Sequence, residues 1–231
     1  MNRGEMARAV RAGRRALEAL GSDPDVLVAY GYILARVGRT GEADELFRSA
    51  IGLDPLTPLN RCMPGFVALM EGRHDDAVEP YRQMMEMDPD NPVSPLFFGW
   101  ALAYAGRTEE AIDVFEPASR RLPGTPFAAW AASFAAGLAG DAAGARAAIT
   151  PALEGAATGS EMFARALAHC RALGGDVEGG LDALRSAVRL GMLCLPFIER
   201  HDRFLEPLRA RPEFGTIVEE ARRRVRAVED A

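Results

Sequence analysis

Residues 38–55 read GRTGEADELFRSAIGLDP, residues 72–89 read GRHDDAVEPYRQMMEMDP, and residues 106–123 read GRTEEAIDVFEPASRRLP. The three stretches superimpose without a gap. Their opening glycines, Gly38, Gly72 and Gly106, stand 34 residues apart. The same interval separates Ala43, Ala77 and Ala111, then Phe47, Tyr81 and Phe115, then Pro55, Pro89 and Pro123. A fixed period of this size marks a repeat architecture, in which each unit is one supersecondary module that buries its faces only by stacking on its neighbours. Upstream of each stretch a second glycine stands in register, at Gly31, Gly65 and Gly99, among apolar residues at helical spacing. Each unit therefore reads as two helices, the second ended by its proline.

The pattern resembles the tetratricopeptide repeat family, which carries a small residue at position 8, alanine at 20, an aromatic at 24 and proline at 32 of each unit. The resemblance implies an all-α fold, a right-handed superhelical solenoid of antiparallel helix pairs. Small residues at 8 and 20 let the two helices approach, and the aromatic at 24 fills the neighbouring gap. Residues 24–57, 58–91 and 92–125 match as consecutive units. Residues 126–160 form a degenerate unit that keeps Gly140 and Ala145 but has Ser133 at position 8 and Ile149 in place of the aromatic. Residues 161–194, after one inserted residue, form another, with Gly175, Leu184 and Ala187 kept and Gly180 at position 20. Residues 4–23 fit the second half of a unit, with Gly4, Ala9 and Ala16 in register, so the chain is expected to be a fragment of a longer protein. Residues 195–231 are expected to cap the stack, with Phe214, Ile217, Val218, Ala221 and Val225 along one stripe. The phrases FLEPLRARPEF and LDPLTPL are similar to the ends and joints of repeat regions attached to bacterial signalling proteins. Pro80, Pro117 and Pro151 are expected to kink the second helices, and Pro64 to delay the start of a first helix.

Some first-helix side chains are not explained by packing within a unit. In FFGWALAYAGR, residues 97–107, Phe98 and Leu102 share a face with Gly99, whereas Leu96, Trp100 and Tyr104 lie on the other. The resemblance implies that this second stripe lines a concave groove. Position 9 reads Tyr32, Phe66, Trp100, Phe134 and then His169, a ladder of four aromatics ending in a histidine. Val28, Cys62, Leu96, Trp130 and Arg165 occupy position 5. Met70 and Tyr104 stand at position 13, and Leu59, Phe127 and Met162 at position 2. The candidate binding residues are Val28, Tyr32, Phe66, Met70, Leu96, Trp100, Tyr104, Phe127, Trp130 and Phe134. Each aromatic buries about 150–250 Å², so an open ladder would exceed the few hundred Å² that monomers expose.

Three covers compete. A partner protein or peptide lays an apolar segment or helix in the groove; the chain's own segment from Met192 to Phe204, or a sister chain in a homodimer, fills it; or tight winding buries the rings against neighbouring helices. The function expected is a noncatalytic protein-interaction scaffold. The alternative is a regulatory or sensory domain that binds a small apolar ligand or its own flanking domain.

Other chemistry has little support. His74, His169 and His201 are scattered, and GGDVEGG lacks the strand and the Lys-Ser/Thr of a phosphate loop. Cys62, Cys170 and Cys194 form no CxxC pair, so neither a disulfide framework nor a metal site is expected, and no cofactor. A net charge of −6 argues against a nucleic-acid partner, and no apolar run suits a membrane span or a secretory signal. Every one of the 27 basic residues is arginine, which points to a GC-rich bacterial source and a cytoplasmic protein.

Overall fold

The computed structural model describes residues 5–91 and 93–229, so Gly4 of the leading half unit lies outside the described residues. Helices follow one another along the chain: α1 (Glu5–Leu20), α2 (Pro24–Arg36), α3 (Thr40–Leu53), α4 (Pro58–Met70), α5 (His74–Met87), α6 (Ser94–Tyr104) and α7 (Thr108–Arg121). Next come α8 (Pro126–Leu138), α9 (Ala142–Ala147), α10 (Pro151–Ala157), α11 (Glu161–Leu173) and α12 (Val177–Arg189). A π-turn at Phe197–His201 and a 3-10 turn at Arg203–Leu205 lead into α13 (Glu206–Arg209) and α14 (Pro212–Glu229). Successive helices pair antiparallel and stack as an all-α solenoid.

The period of 34 is a property of the turns. Gly38, Gly72, Gly106, Gly140 and Gly175 all have φ between 76° and 87°, a region in which a Cβ is strained. The next residue's N–H, from Arg39, Arg73, Arg107, Asp141 and Asp176, reaches back to the carbonyl five residues earlier at 2.8–3.0 Å. That bond closes each first helix in a glycine-dependent cap. Prolines start several helices at their first turn, among them Pro24, Pro58 and Pro126, where the missing N–H costs nothing.

Within a unit the glycine at position 8 is the floor on which the aromatic at 24 lies. A Cβ built on Gly31 would stand 2.6 Å from Phe47 Cε1, and one on Gly99 3.0 Å from Phe115 Cε1. Phe47 and Phe115 are fully buried, as are Ala43, Ala77 and Ala111. In the fourth unit Ser133 replaces the glycine, and its hydroxyl donates to the carbonyl of Ala145 at 2.9 Å, so the helices still meet.

The prolines act differently from expectation. Pro80 and Pro117 sit inside unbroken α5 and α7, and α4 runs through Pro64 without a late start. Buried residues flank each of them, Ala77 and Tyr81 around Pro80, Phe115 and Ala118 around Pro117, and this packing carries the helix across one lost backbone bond. Pro151 does break its helix, because Thr150 caps the new segment by accepting from the N–H of Leu153. The second helix of the fourth unit is thus two short pieces, α9 and α10.

The stack winds far enough to meet itself. Tyr32, on α2, donates its hydroxyl to Glu161 Oε2 on α11 at 3.2 Å, and Arg36 Nε lies 3.3 Å from the same oxygen. Outside this contact α14 packs on both α12 and α1, with Phe214, Ile217, Val218 and Ala221 buried. Among the described residues no helix is long and apolar enough to cross a membrane.

Candidate binding groove

The groove is formed by α2, α4, α6, α8 and α11, and it is divided in two. After α12 the chain turns at Gly191, whose φ is 108°, and runs back across the C-terminal halves of these helices as a strap. The N–H of Leu193 donates to the carbonyl of Arg36 at 2.8 Å, and Arg203 Nη1 donates to those of Ala103 and Tyr104 at 3.2 and 3.1 Å. Met192, Leu193, Cys194, Phe197, Ile198, Phe204 and Leu205 are buried. Phe204 packs edge-to-face on Tyr104 and Phe134 and tilted against His169, with centroids 4.9, 5.1 and 5.5 Å apart.

One carboxylate pins the strap. Asp202, fully buried, accepts from the Tyr104 hydroxyl at 2.9 Å, from His169 Nε2 at 2.7 Å and from the N–H of Phe204 at 3.2 Å. Burial alone would raise its pKa, but His169, Tyr104 and Arg165 outweigh that and hold the carboxyl below the usual carboxylate range. The cluster is shut off from solvent, which leaves no approach for a substrate.

The N-terminal halves of α2, α4, α6 and α11 enclose a cavity of ≈ 420 Å³, to which α8 contributes no lining residue. Val28, Tyr32, Phe66 and Trp100 line it, joined by Cys62, Met63, Phe97 and Met162, while Asp25, Ala29 and Leu59 stand exposed at its rim. The first two rungs, Tyr32 and Phe66, lie 5.1 Å apart. Burial pushes the Cys62 thiol up to about 12, so the sulfur is a wall and not a nucleophile.

Arg165 closes the floor. It is 3% exposed, its guanidinium lies 4.7 Å from the Trp100 ring centre, and its Nε donates to Glu161 Oε1 at 3.0 Å. Burial works against both charges, but each stabilises the other: Glu161 is held below its ordinary value, and Arg165 above its own. Tyr32 is raised by burial and then by Glu161, so its hydroxyl stays a donor.

The structure thus distributes the ten candidate residues over three places. Val28, Tyr32, Phe66 and Trp100 face the cavity. Tyr104 and Phe134 lie against the strap, and the carbonyl of Met70 is 4.0 Å from Cys194 Sγ. Leu96, Phe127 and Trp130 are outside the cavity lining. Trp130 packs edge-on to Trp100 at 6.0 Å, and Phe127 lies 5.0 Å from Phe163. Of the three covers left open by the sequence, the segment from Met192 lies over Tyr104 and Phe134, and packing between helices buries Leu96 and Trp130, so the groove is half-filled. Phe97 and Arg165 are wall and floor residues absent from the candidates. A cation at position 5, where the earlier units are apolar, was the available signal for Arg165.

Residues 68–133 match one family model and residues 24–55 another, both described as tetratricopeptide repeat. No curated protein matches the sequence. The fold is similar to the crystal structure of the Cut9-Hcn1 hetero-tetramer of APC/C, with a TM-score of 0.62 and 15% identity over 94% of this chain and 46% of that one, less than half its length. It is also similar to a tetratricopeptide repeat protein from Parabacteroides merdae, with a TM-score of 0.60 and 12% identity over 95% of this chain and 78% of that one. TTC0263 from Thermus thermophilus gives a TM-score of 0.50 and 16% identity over 87% and 91%. At these identities the likeness is one of fold alone.

Proposed function

We propose that this chain, two stretches of which match tetratricopeptide repeat models, is a noncatalytic scaffold that receives an apolar anchor of a partner protein in the cavity bounded by Val28, Tyr32, Phe66 and Trp100. The observation that carries the reading is the cavity itself: ≈ 420 Å³ with apolar walls and an exposed rim, within the size range of ligand pockets. Leu53, at the end of α3, and Leu56, on the turn before Leu59, are 52% and 81% exposed.

The strap narrows what can enter. A partner helix about 10 Å wide needs the full groove, and Met192–Leu205 already occupies half of it. The anchor is therefore one or two large apolar side chains from an extended peptide, a buried centre surrounded by weaker rim contacts. Selection of random 12-residue peptides on the full chain tests this. Ligands with a Leu, Met or Phe anchor should bind at micromolar Kd and lose at least tenfold on Val28→Trp, which fills the cavity. Peptides that bind that variant unchanged would place recognition elsewhere and sink the proposal.

A further inference from the structure

The cavity floor carries a donor with nothing to donate to. Arg165 Nη1 is buried and has no hydrogen-bond partner, although its Nε is paired with Glu161. An unmet buried donor is costly, and one on a charged group more so. The surrounding acceptors are already engaged. Glu161 is shared by Arg165, Arg36 and the Tyr32 hydroxyl, so two guanidiniums draw on one carboxylate. Asp202, the other carboxylate near Arg165, is taken up by Tyr104, His169 and the N–H of Phe204. Asp25 stands exposed at the rim, where water screens it.

We propose that the cavity binds a small apolar monocarboxylate, with the carboxylate on the Arg165 guanidinium and the hydrocarbon against Phe66 and Trp100. This rests on the reading that the cavity receives ligands, and it adds a consequence: such an acid competes with a partner's side chain, so its concentration sets how much scaffold is free to dock. A buried guanidinium suits a carboxylate geometrically as well as by charge. The apolar tail gains by leaving water, at about 25 cal/mol per Å².

Decanoate is the probe, titrated into the full chain with calorimetry and Trp emission as readouts, beside methyl decanoate and 1-decanol. Decanoate should bind at micromolar Kd and perturb Trp emission, with the ester and the alcohol at least tenfold weaker. Glu161→Gln with Arg165→Met removes the ion pair together and should weaken decanoate tenfold or more while leaving the ester unchanged. The comparison of acid with ester uses the unaltered chain, so it stands even if that variant does not fold. Equal binding of acid and ester, or no decanoate binding at millimolar concentration, overturns the inference. Peptide docking that persists when decanoate fails leaves the scaffold reading intact, whereas failure of both removes both.

Discussion

A glycine under a ring and a carboxylate under a strap are two residues at which a small substitution is costly. Gly31→Ala would push a methyl to 2.6 Å from the fully buried ring of Phe47. Overpacking of this kind costs about 1–3 kcal/mol. Gly41, with nothing within 4 Å of its added Cβ, is the control: Gly41→Ala should be neutral or stabilise by up to about 1 kcal/mol. Urea midpoints separate the two, and an unshifted midpoint for Gly31→Ala would mean the ring has room to move. Asp202→Ala leaves His169 Nε2 and the Tyr104 hydroxyl buried without their partner, and should cost about 3 kcal/mol by the same measurement. The aromatic rungs are no gentler, because Trp100 and Phe134 are 2% and 0% exposed and truncation to alanine costs about 3–5 kcal/mol each. Neither is a clean probe of binding, and Val28→Trp is preferable.

Elements differ in how far they could be read from sequence. The helix pairs of the first three units were legible because the glycine caps and the glycine-on-aromatic contacts are local and recur in register. The ladder was legible from Tyr32 to Phe134 because the 34-residue period puts one ring at the same position of each unit, while the 3.6-residue helical period puts Leu96, Trp100 and Tyr104 on one side of a single helix. What covers the stripe stayed open among three candidates, the segment from Met192 to Phe204 being one. Met192–Leu205 has no repeat signal, and its register in the groove depends on Asp202 meeting Tyr104 and His169, 98 and 33 residues away. Nor did proline content separate the helix that breaks, at Pro151, from those held by packing at Pro80 and Pro117. The tryptophans make a spectroscopic prediction. Both are at most 2% exposed, so their emission should be blue-shifted and resist acrylamide. Red-shifted, freely quenched emission in the unaltered chain would contradict the burial of Trp100 and Trp130.

The whole molecule depends on two buried carboxylates, Glu161 joining α11 to α2 and Asp202 holding the strap. Both have folded pKa values below the ordinary value of about 4, as Arg165 and Arg36 favour charged Glu161, and His169 and Tyr104 favour charged Asp202. A depressed carboxylate adds stability above its unfolded pKa and loses it as pH falls through the folded one. Stability measured by urea should therefore fall steeply below about pH 4, after a shallower decline below about pH 6.5, where the unfolded chain protonates His74 and His201 more readily than the fold, which holds both below their ordinary value by burial. Stability that stays level below about pH 4 would mean that neither carboxylate is held by its partners. A last consequence follows from α14 lying against both α12 and α1 while Tyr32 and Arg36 reach Glu161. A linear array of repeats sheds its outermost modules one by one, since each is held by a single neighbour. Here the two flanks of the described residues are stitched along a seam, so unfolding from either side has to open that seam.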